Sequence, residues 1–326
     1  MDDIGPLLAA SPDEQRGEVG RMRRRSKQHD ASFIGSASGI HFVQSVYASL
    51  GKTTANSGNS QSSVDHDIVP GEEDRQQTSG AHRDGHRLWA PTELAISSAH
   101  SDHYITFDDL LAWSQNFFEY WHPALPFLHA PAFLQWCEKI AQHPLTELDR
   151  HINANQTATI RSIMSISLAD SRQSGAARLR SKVPSVLVFH AFSDALDAIQ
   201  GLLVATPTIE SLQTAVSVQV FLVSMLRHNA ASRLGGVIVR AAFQMGLHRC
   251  PERFATFSHE ECDMRRRLFW SIYCLDRYIC QSLGSPITLC DSDIDVCHPN
   301  EERHLAKPGG HRGMCPPHLM QDMPSK

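Results

Sequence analysis

Residues 258–299 decide the fold class, and they read SHEECDMRRRLFWSIYCLDRYICQSLGSPITLCDSDIDVCHP. Ser258 and Glu261 have the spacing of a capping box, which marks the start of a helix. Apolar residues then recur every three or four positions, which predicts one buried face on that helix. The helix is predicted to end at Gly284, ahead of Pro286, and to pass into an acidic loop. The apolar positions of the predicted face are Leu268, Ile272, Leu275 and Ile279.

Helical periodicity also runs through the centre of the chain, and the alternation that is typical of strands is absent. Thr106 and Thr208 are placed as helix N-caps, while Pro131 fits the first turn of another helix. Residues 155–171 and 183–203 read as two more helices. We therefore predict an all-α protein, built as an irregular multi-helix array. The predicted apolar faces are Ile209, Leu212, Val216, Val223 and Leu226 in the Thr208 helix, and Leu234, Val237, Ile238, Ala241 and Met245 in the helix that ends near Gly246.

Composition divides the chain into five regions. The first 30 residues are polar and charged, and the stretch from 51 to 101 is rich in Ser, Gly, Asn, Gln, Asp and His. Segments with so little apolar surface cannot offset their ordering entropy, so we expect disorder in both. The predicted organisation is a disordered N-terminal region (1–30), a short ordered segment (31–50), a disordered linker (51–101), a helical domain (102–300) and an unstructured tail (301–326).

The composition also excludes several classes of protein. The 326 residues have a formal net charge of -5, so the molecule as a whole is not a basic DNA-coating protein. Its eight cysteines include no CxxC pair, and several lie in apolar runs. This pattern indicates reduced thiols in an intracellular compartment. We find neither a signal peptide nor a run of about 18 apolar residues, so the sequence predicts no membrane association.

Three blocks of sequence, in a fixed order, resemble one protein family. The first is FFEYWHPALPFLHAPAF (117–133), the second is VRAAFQMGLHRCP (239–251), and the third begins at Glu261 and ends at Pro299. Together they resemble the fungal-specific transcription factor domain, the middle regulatory region of fungal zinc-cluster activators such as the xylanolytic regulators. The stretch FIGSASGIHFVQSV (33–46) is similar to the short segment that precedes this domain in the family.

The resemblance implies an all-α regulatory domain that acts in DNA-templated transcription in the nucleus. The family's zinc cluster needs six cysteines near the N-terminus, and the first cysteine here is Cys137. We therefore expect no cofactor in this chain, zinc being implied only for that missing cluster, and we expect a domain truncated after Pro299. The positions that match the family's hallmarks are His122, Pro123, Pro126, His129, Gly246, His248, Arg265, Arg266, Arg267, Trp270, Asp276, Arg277, Gly284, Pro286, Asp293 and Asp295.

The resemblance also implies partners. DNA would be reached indirectly or through a missing module, and the chain would form a homodimer or heterodimer or bind coactivators. A small inducer is a further candidate, and we expect its pocket between the turn at 117–133 and the Ser258 helix, because interhelical clefts suit small ligands.

Two groups of basic residues are candidates for anion binding. The first is a run near the N-terminus, which reads either as a nuclear import signal or phosphate contact, or as a solvated tail. The second is the triplet Arg265–Arg267, which reads either as a phosphate patch or as a set of ion pairs with Glu261 and Asp263. Three consecutive residues cover most of a helical turn, so we favour the ion pairs, and we interpret Asp276–Arg277 likewise. The N-terminal run comprises Arg21, Arg23, Arg24, Arg25 and Lys27.

The alternative function is a metal-dependent all-α enzyme of small-molecule metabolism. It would use the acidic loop, where Asp291, Asp293 and Asp295 resemble part of a calcium loop but lack its glycine and closing glutamate. This alternative requires the three carboxylates to converge with a histidine or glutamate in one cleft. The histidines show no zinc spacing, and we expect His122 and His129 to bond loop backbone instead.

Overall fold

The computed structural model describes residues 21–24, 31–39, 41–43, 46, 88–95, 105–173 and 182–297. Helices dominate these residues, which confirms the all-α prediction. No helix among them is long and apolar enough to cross a bilayer. The α-helices are α1 (Phe107–Asn116), α2 (Ala130–Gln142), α3 (Leu148–His151), α4 (Ala154–Gln173), α5 (Phe192–Asp197), α6 (Gly201–Val204), α7 (Ile209–Ser224), α8 (His228–Gln244) and α9 (His259–Leu283).

Four short strands accompany the helices, which the sequence did not predict. β1 (Arg21–Arg24) pairs antiparallel with β2 (Ala31–Ile34), and β3 (Leu94–Ala95) pairs parallel with β4 (Val183–Pro184). In the region 1–30, where we expect disorder, the structure describes only the four residues of β1. The remaining residues of that region, and the whole tail 301–326, lie outside the described residues.

The end of the predicted linker belongs to the helical array. Trp89 is buried, and its indole N–H donates to the carbonyl of Phe189 at 2.6 Å. Glu93 forms an ion pair of 2.6 Å with Arg172 at the end of α4. Residues 88–95 are thus ordered by one buried aromatic ring and one ion pair, and the expectation of disorder is wrong there. Residues 51–87 and 96–101 lie outside the described residues.

Helix α7 is the centre of the array. Every residue from Leu212 to Ser224 is buried except Gln213, so the predicted single apolar stripe is too narrow. The helix begins at Thr208, whose hydroxyl accepts from the Ser211 amide at 3.1 Å, as the N-cap prediction requires. Leu226 was expected on the buried face, but it lies beyond the helix end with φ +58° and is exposed.

Helix α4 packs along α7 through small polar side chains. The hydroxyls of Thr159 and Thr214 are 3.1 Å apart, and Ser217 donates to Ser162 at 3.1 Å. Small residues let the two helix backbones approach closely, and paired hydroxyls avoid the cost of an unsatisfied buried polar group. These contacts show how a helix with many small polar residues packs at the position predicted from 155 to 171.

The predicted helix over 183–203 is wrong. The chain there forms β4, a 3-10 turn at Ser185–Leu187, and the short helices α5 and α6. The Asp194 carboxylate accepts from the backbone amides of His190 and Ala191 at 3.2 and 3.0 Å, which starts a new helix in mid-segment. Between the 3-10 turn and Asp194, Val188 and Phe189 are buried outside any helix.

The other predicted helix signals are confirmed. Thr106 and Asp109 form the capping box that opens α1, and a π-helical turn at Phe117–Trp121 follows α1. Pro131 lies in the first turn of α2. Ser258 and Glu261 form the capping box of α9, with bonds of 3.2 and 2.8 Å. The residues of its predicted buried face, Leu268, Ile272, Leu275 and Ile279, are all buried.

The described residues divide into two compact units. One contains the described residues between 21 and 46 together with Cys280–Pro286, and the other contains the rest. Within the first unit, the amide of Gly35 donates to the carbonyl of Leu283 at 3.1 Å. A Cβ atom on Gly284 would lie 2.7 Å from the Gly35 carbonyl oxygen, and a Cβ on Gly35 would collide with the Gly284 carbonyl. Both positions therefore need glycine.

Candidate functional site

The three arginines of the triplet face three different environments. Arg265 donates to the Met245 carbonyl at 3.1 Å, with its guanidinium 3.9 Å from the centroid of the Phe257 ring. Arg266 is buried and pairs with Asp263 and, at 3.4 Å, with Glu252. Arg267 is exposed. The triplet is thus not one phosphate-binding face.

The predicted ion pairs of the triplet are only partly correct. The pairing of Asp263 with Arg266 is confirmed, but Glu261 attracts Arg265 electrostatically without forming a close ion pair with it. Its carboxylate accepts from the Ser258 amide instead, and that bond is the largest of the causes that lower its pKa. Burial lowers the pKa of Arg265, which lies among the side chains between α8 and α9.

Asp276 organises the chain after α9. Its Oδ2 accepts from the backbone amides of Thr288 and Leu289 at 3.1 and 3.2 Å, and from Arg277 at 3.4 Å. Arg277 also forms an ion pair with Asp291, and its guanidinium lies 4.4 Å from the centroid of the Tyr273 ring. The expected structural role of the Asp276–Arg277 pair agrees with this geometry, since the pair closes a loop onto its own helix.

Asp295 connects the end of α8 to the acidic loop. One carboxylate oxygen of Asp295 accepts from the Cys250 amide at 2.7 Å, and the other pairs with Arg253 at 2.8 Å. The Asp295 amide donates to the His248 carbonyl at 3.2 Å. Trp270 of α9 reaches the same region, where its indole N–H donates to the Cys297 carbonyl at 2.9 Å. These contacts hold the acidic loop against α8 and α9.

The acidic loop does not have the arrangement that the enzyme alternative requires. Asp291 binds Arg277 and Tyr273, Asp295 binds Cys250 and Arg253, and Asp293 is exposed. The three carboxylates therefore belong to separate environments. Within the described ranges, no three His, Cys, Asp or Glu side chains are grouped so that they could hold a metal ion.

In the turn between α1 and α2, one of the two histidine side chains bonds the loop backbone. The ring of His122 bonds the Leu128 carbonyl at 3.0 Å, as expected. His129 is exposed and caps α2 without a side-chain bond, so its predicted role is wrong. Pro123 and Pro126 lie in the turn, where proline cannot continue the preceding helix.

The two hallmark glycines end helices. Gly246 follows α8 with φ +67°, and Gly284 follows α9 with φ +64°, a conformation that glycine adopts without a Cβ penalty. After Gly284, the carbonyl of Pro286 accepts from the Cys280 thiol at 3.2 Å. These residues fix the direction in which the chain leaves each helix.

The N-terminal basic run is divided by the limits of the described chain. Arg21, Arg23 and Arg24 lie in β1, whereas Arg25 and Lys27 are outside the described residues. Its role in import or phosphate contact stays a prediction.

A groove of about 950 Å³ lies between α6 and α8, a feature that the sequence reasoning missed. Residues 202–207 line one wall, a face of α8 with Arg233, Val237 and Arg240 lines the other, and Arg265 of α9 also lines the groove. None of its lining residues comes from the turn at 117–133, where we expected an inducer pocket. Arginines seven positions apart could have signalled this face, but only the fold shows that it is uncovered.

Comparisons with known proteins identify the family to which the chain is similar. A family model described as the fungal specific transcription factor domain matches residues 115–316. The chain is 31% identical over 309 residues to the probable transcription factor FUP6 of Fusarium proliferatum, which covers 87% of this chain and 40% of that protein. It is 24% identical over 185 residues to the transcriptional activator protein acu-15 of Neurospora crassa, covering 57% of this chain and 18% of that protein.

No solved structure matches the chain. The chain spans less than half the length of the relatives named above. The family model nevertheless covers most of it, including the described part of the helical array from residue 115 onward. The chain belongs to the family of the fungal-specific transcription factor domain.

Proposed function

We propose that this chain acts in the nucleus as the regulatory domain of a transcription factor, where it binds other proteins while a separate module contacts DNA. One observation carries the proposal: the hallmark charges Arg266, Asp276 and Asp295 are all bound to neighbours within the domain. Charges that are used in this way shape a surface rather than a reaction centre.

DNA contact by another module is supported by the distribution of charge. A protein that neutralises several phosphates needs a cluster of Lys or Arg on one face. The arginine triplet is divided among three environments, and the whole chain has a formal net charge of -5. A purified sample should therefore give no sequence-specific shift of DNA fragments at physiological salt.

The regulatory activity can be tested by fusing the chain to a heterologous DNA-binding domain in yeast. We expect reporter expression to differ from that given by the DNA-binding domain alone. The matched variant is Asp276→Ala, which should abolish the difference because it unfolds the loop after α9. An exposed substitution, Asp293→Ala, should leave it intact. If the intact fusion behaves like the DNA-binding domain alone, the proposal fails.

The nuclear location has its own test, which uses the basic run of β1 and the residues after it. A fluorescent fusion of the chain should accumulate in the nucleus of a fungal cell. Substituting Arg23, Arg24 and Arg25 by Ala should redistribute it to the cytoplasm if the run is an import signal. Nuclear accumulation that persists in this variant would assign import to another segment.

A further inference from the structure

The groove between α6 and α8 combines positive charge with exposed apolar surface. Arg233 and Arg240 are exposed, and neither forms an ion pair or hydrogen bond with another described residue. None of the residues that line the groove, all of which are described, is acidic. Arg233 and Arg240 therefore carry positive charge that no described carboxylate pairs with, whereas Arg266 and Arg277 are paired.

The two arginines lie on one face of α8, spaced along the helix axis. Seven residues make almost two turns of α8, so Arg233 and Arg240 project from the same face about 10.5 Å apart along the axis. Val237 lies between them on that face, four residues after one and three before the other. The face thus alternates a charge, an apolar side chain and a second charge.

The opposite wall supplies the apolar contact. Leu203 is 69% exposed and Val204 is 90% exposed, and these are the two largest exposed fractions among the large apolar side chains of the described residues. Both residues lie on α6 and line the groove. Apolar side chains concentrated so close to unpaired arginines indicate a surface that binds a partner with both apolar and acidic groups.

We propose that this groove binds an amphipathic α-helix of a partner protein, with two acidic residues seven positions apart and apolar residues between them. Its carboxylates would pair with Arg233 and Arg240, and its apolar side chains would cover Leu203, Val204 and Val237. Arginine is suited to this role because its planar guanidinium binds a carboxylate through two parallel hydrogen bonds. Helix binding in a groove uses this kind of spacing of anchors.

This inference deepens the proposed function, because it names the chemistry of the protein partner. It is tested without DNA or cells, so its failure would leave the reporter experiment unaffected. The probe is a fluorescein-labelled peptide of about 15 residues, long enough for helix to form on binding. It has two glutamates seven positions apart, with leucines three and four positions after the first. A second peptide has lysines in place of the glutamates.

Fluorescence anisotropy with the full chain should detect saturable binding of the glutamate peptide. Substituting Arg233 or Arg240 by Gln should weaken binding about tenfold each, as expected for loss of one charge-assisted contact. The double variant R233E/R240E should lose the glutamate peptide and gain the lysine peptide. The double substitution Leu203→Ser and Val204→Ser should weaken binding of the glutamate peptide to the unmodified chain. Added to R233E/R240E, it should also weaken binding of the lysine peptide, because both peptides bury their leucines against the same apolar wall.

The matched control is Arg267→Glu, which reverses an exposed arginine of α9 outside the groove. It should leave binding of the glutamate peptide unchanged. Equal weakening by this control would mean general electrostatic attraction and would overturn the proposal. Absence of binding would also overturn it, as would binding of decanoate to the groove without binding of the peptide, which would assign the groove to a small apolar anion.

Discussion

At the scale of the residue, Asp276 shows what a charged side chain does in this domain. One of its oxygens accepts from the amides of Thr288 and Leu289, so truncation leaves two backbone donors and Arg277 without that acceptor. We expect Asp276→Ala to lower the free energy of unfolding by about 3 kcal/mol. Asp276→Asn should cost less, because the amide oxygen can still accept both bonds. Urea denaturation measures both.

The control for this prediction is Asp293→Ala, in the same loop. Asp293 is exposed, so its substitution should change the free energy of unfolding by less than about 0.5 kcal/mol. If the two alanine variants lose similar stability, Asp276 does not hold the loop as we describe.

A second residue links stability to pH. His228 is buried at the start of α8, and desolvation lowers its pKa below the ordinary value of 6.5. The unfolded chain therefore binds more protons than the folded chain between the lowered pKa and 6.5. The stability associated with neutral His228 is present above pH 6.5 and is lost as the pH falls below it. Thermal melts between pH 7 and pH 5 should show this loss.

The variant His228→Gln should have a smaller loss of melting temperature over the same pH range, because glutamine does not titrate. His129→Gln is the matched control, since His129 is exposed at the start of α2. It should retain the pH dependence of the unmodified chain. A steeper slope in His228→Gln would contradict the assignment.

At the scale of the element, the contact between Gly35 and Gly284 gives a prediction about backbone packing. A methyl group at Gly35 meets the backbone of Gly284, which cannot yield as a flexible side chain would. We expect Gly35→Ala to break the bond from the residue 35 amide to Leu283. Hydrogen exchange of the amides of residues 35 and 38 should accelerate at least about tenfold.

The matched control is Gly39→Ala, because a Cβ atom at Gly39 meets nothing within 4 Å. Its exchange pattern should be unchanged at residues 35 and 38. Gly284→Ala should act like Gly35→Ala and add conformational strain at φ +64°. Unchanged protection in Gly35→Ala would show that the two backbones do not need this close approach.

The elements that sequence reasoning predicted correctly are those with a local start signal. The N-caps at Thr106, Thr208 and Ser258 are single side chains that accept backbone bonds within their own turn, so no distant residue is needed. The prediction of a helix over 183–203 is wrong because the apolar residues there suit a helix and a buried extended chain equally. Only the pairing of β4 with β3, which lies far away in sequence, decides between them.

The same reasoning explains what could be predicted of the site. The Asp263–Arg266 pair follows from helix spacing, and the separate directions of the triplet follow from helix geometry. The partners of Asp276 and Asp295 lie in other segments, and the groove exists because α6 leaves one face of α8 uncovered. Such surfaces depend on tertiary packing, so a single sequence gives the residue types but not their exposure.

At the scale of the whole molecule, the response to metal ions distinguishes a regulatory domain from the enzyme alternative. A cation that binds the folded chain at a concentration a hundred times its Kd would stabilise it by about 2.7 kcal/mol. The described residues hold no group of ligands for such an ion. We therefore expect the melting temperature to be the same with EDTA and with millimolar Mg²⁺, Mn²⁺ or Ca²⁺.

The variant Asp295→Ala makes this last prediction sharper, because it separates a structural carboxylate from a metal ligand. The variant loses the hydrogen bond from the Cys250 amide and the ion pair with Arg253. This loss should lower the melting temperature by the same amount in EDTA and in each metal. A metal ligand would behave differently, since the ion would stabilise the unmodified chain and not the variant. A metal-dependent gap between the two proteins would therefore revive the enzyme alternative, and a constant gap assigns Asp295 to the architecture of the loop.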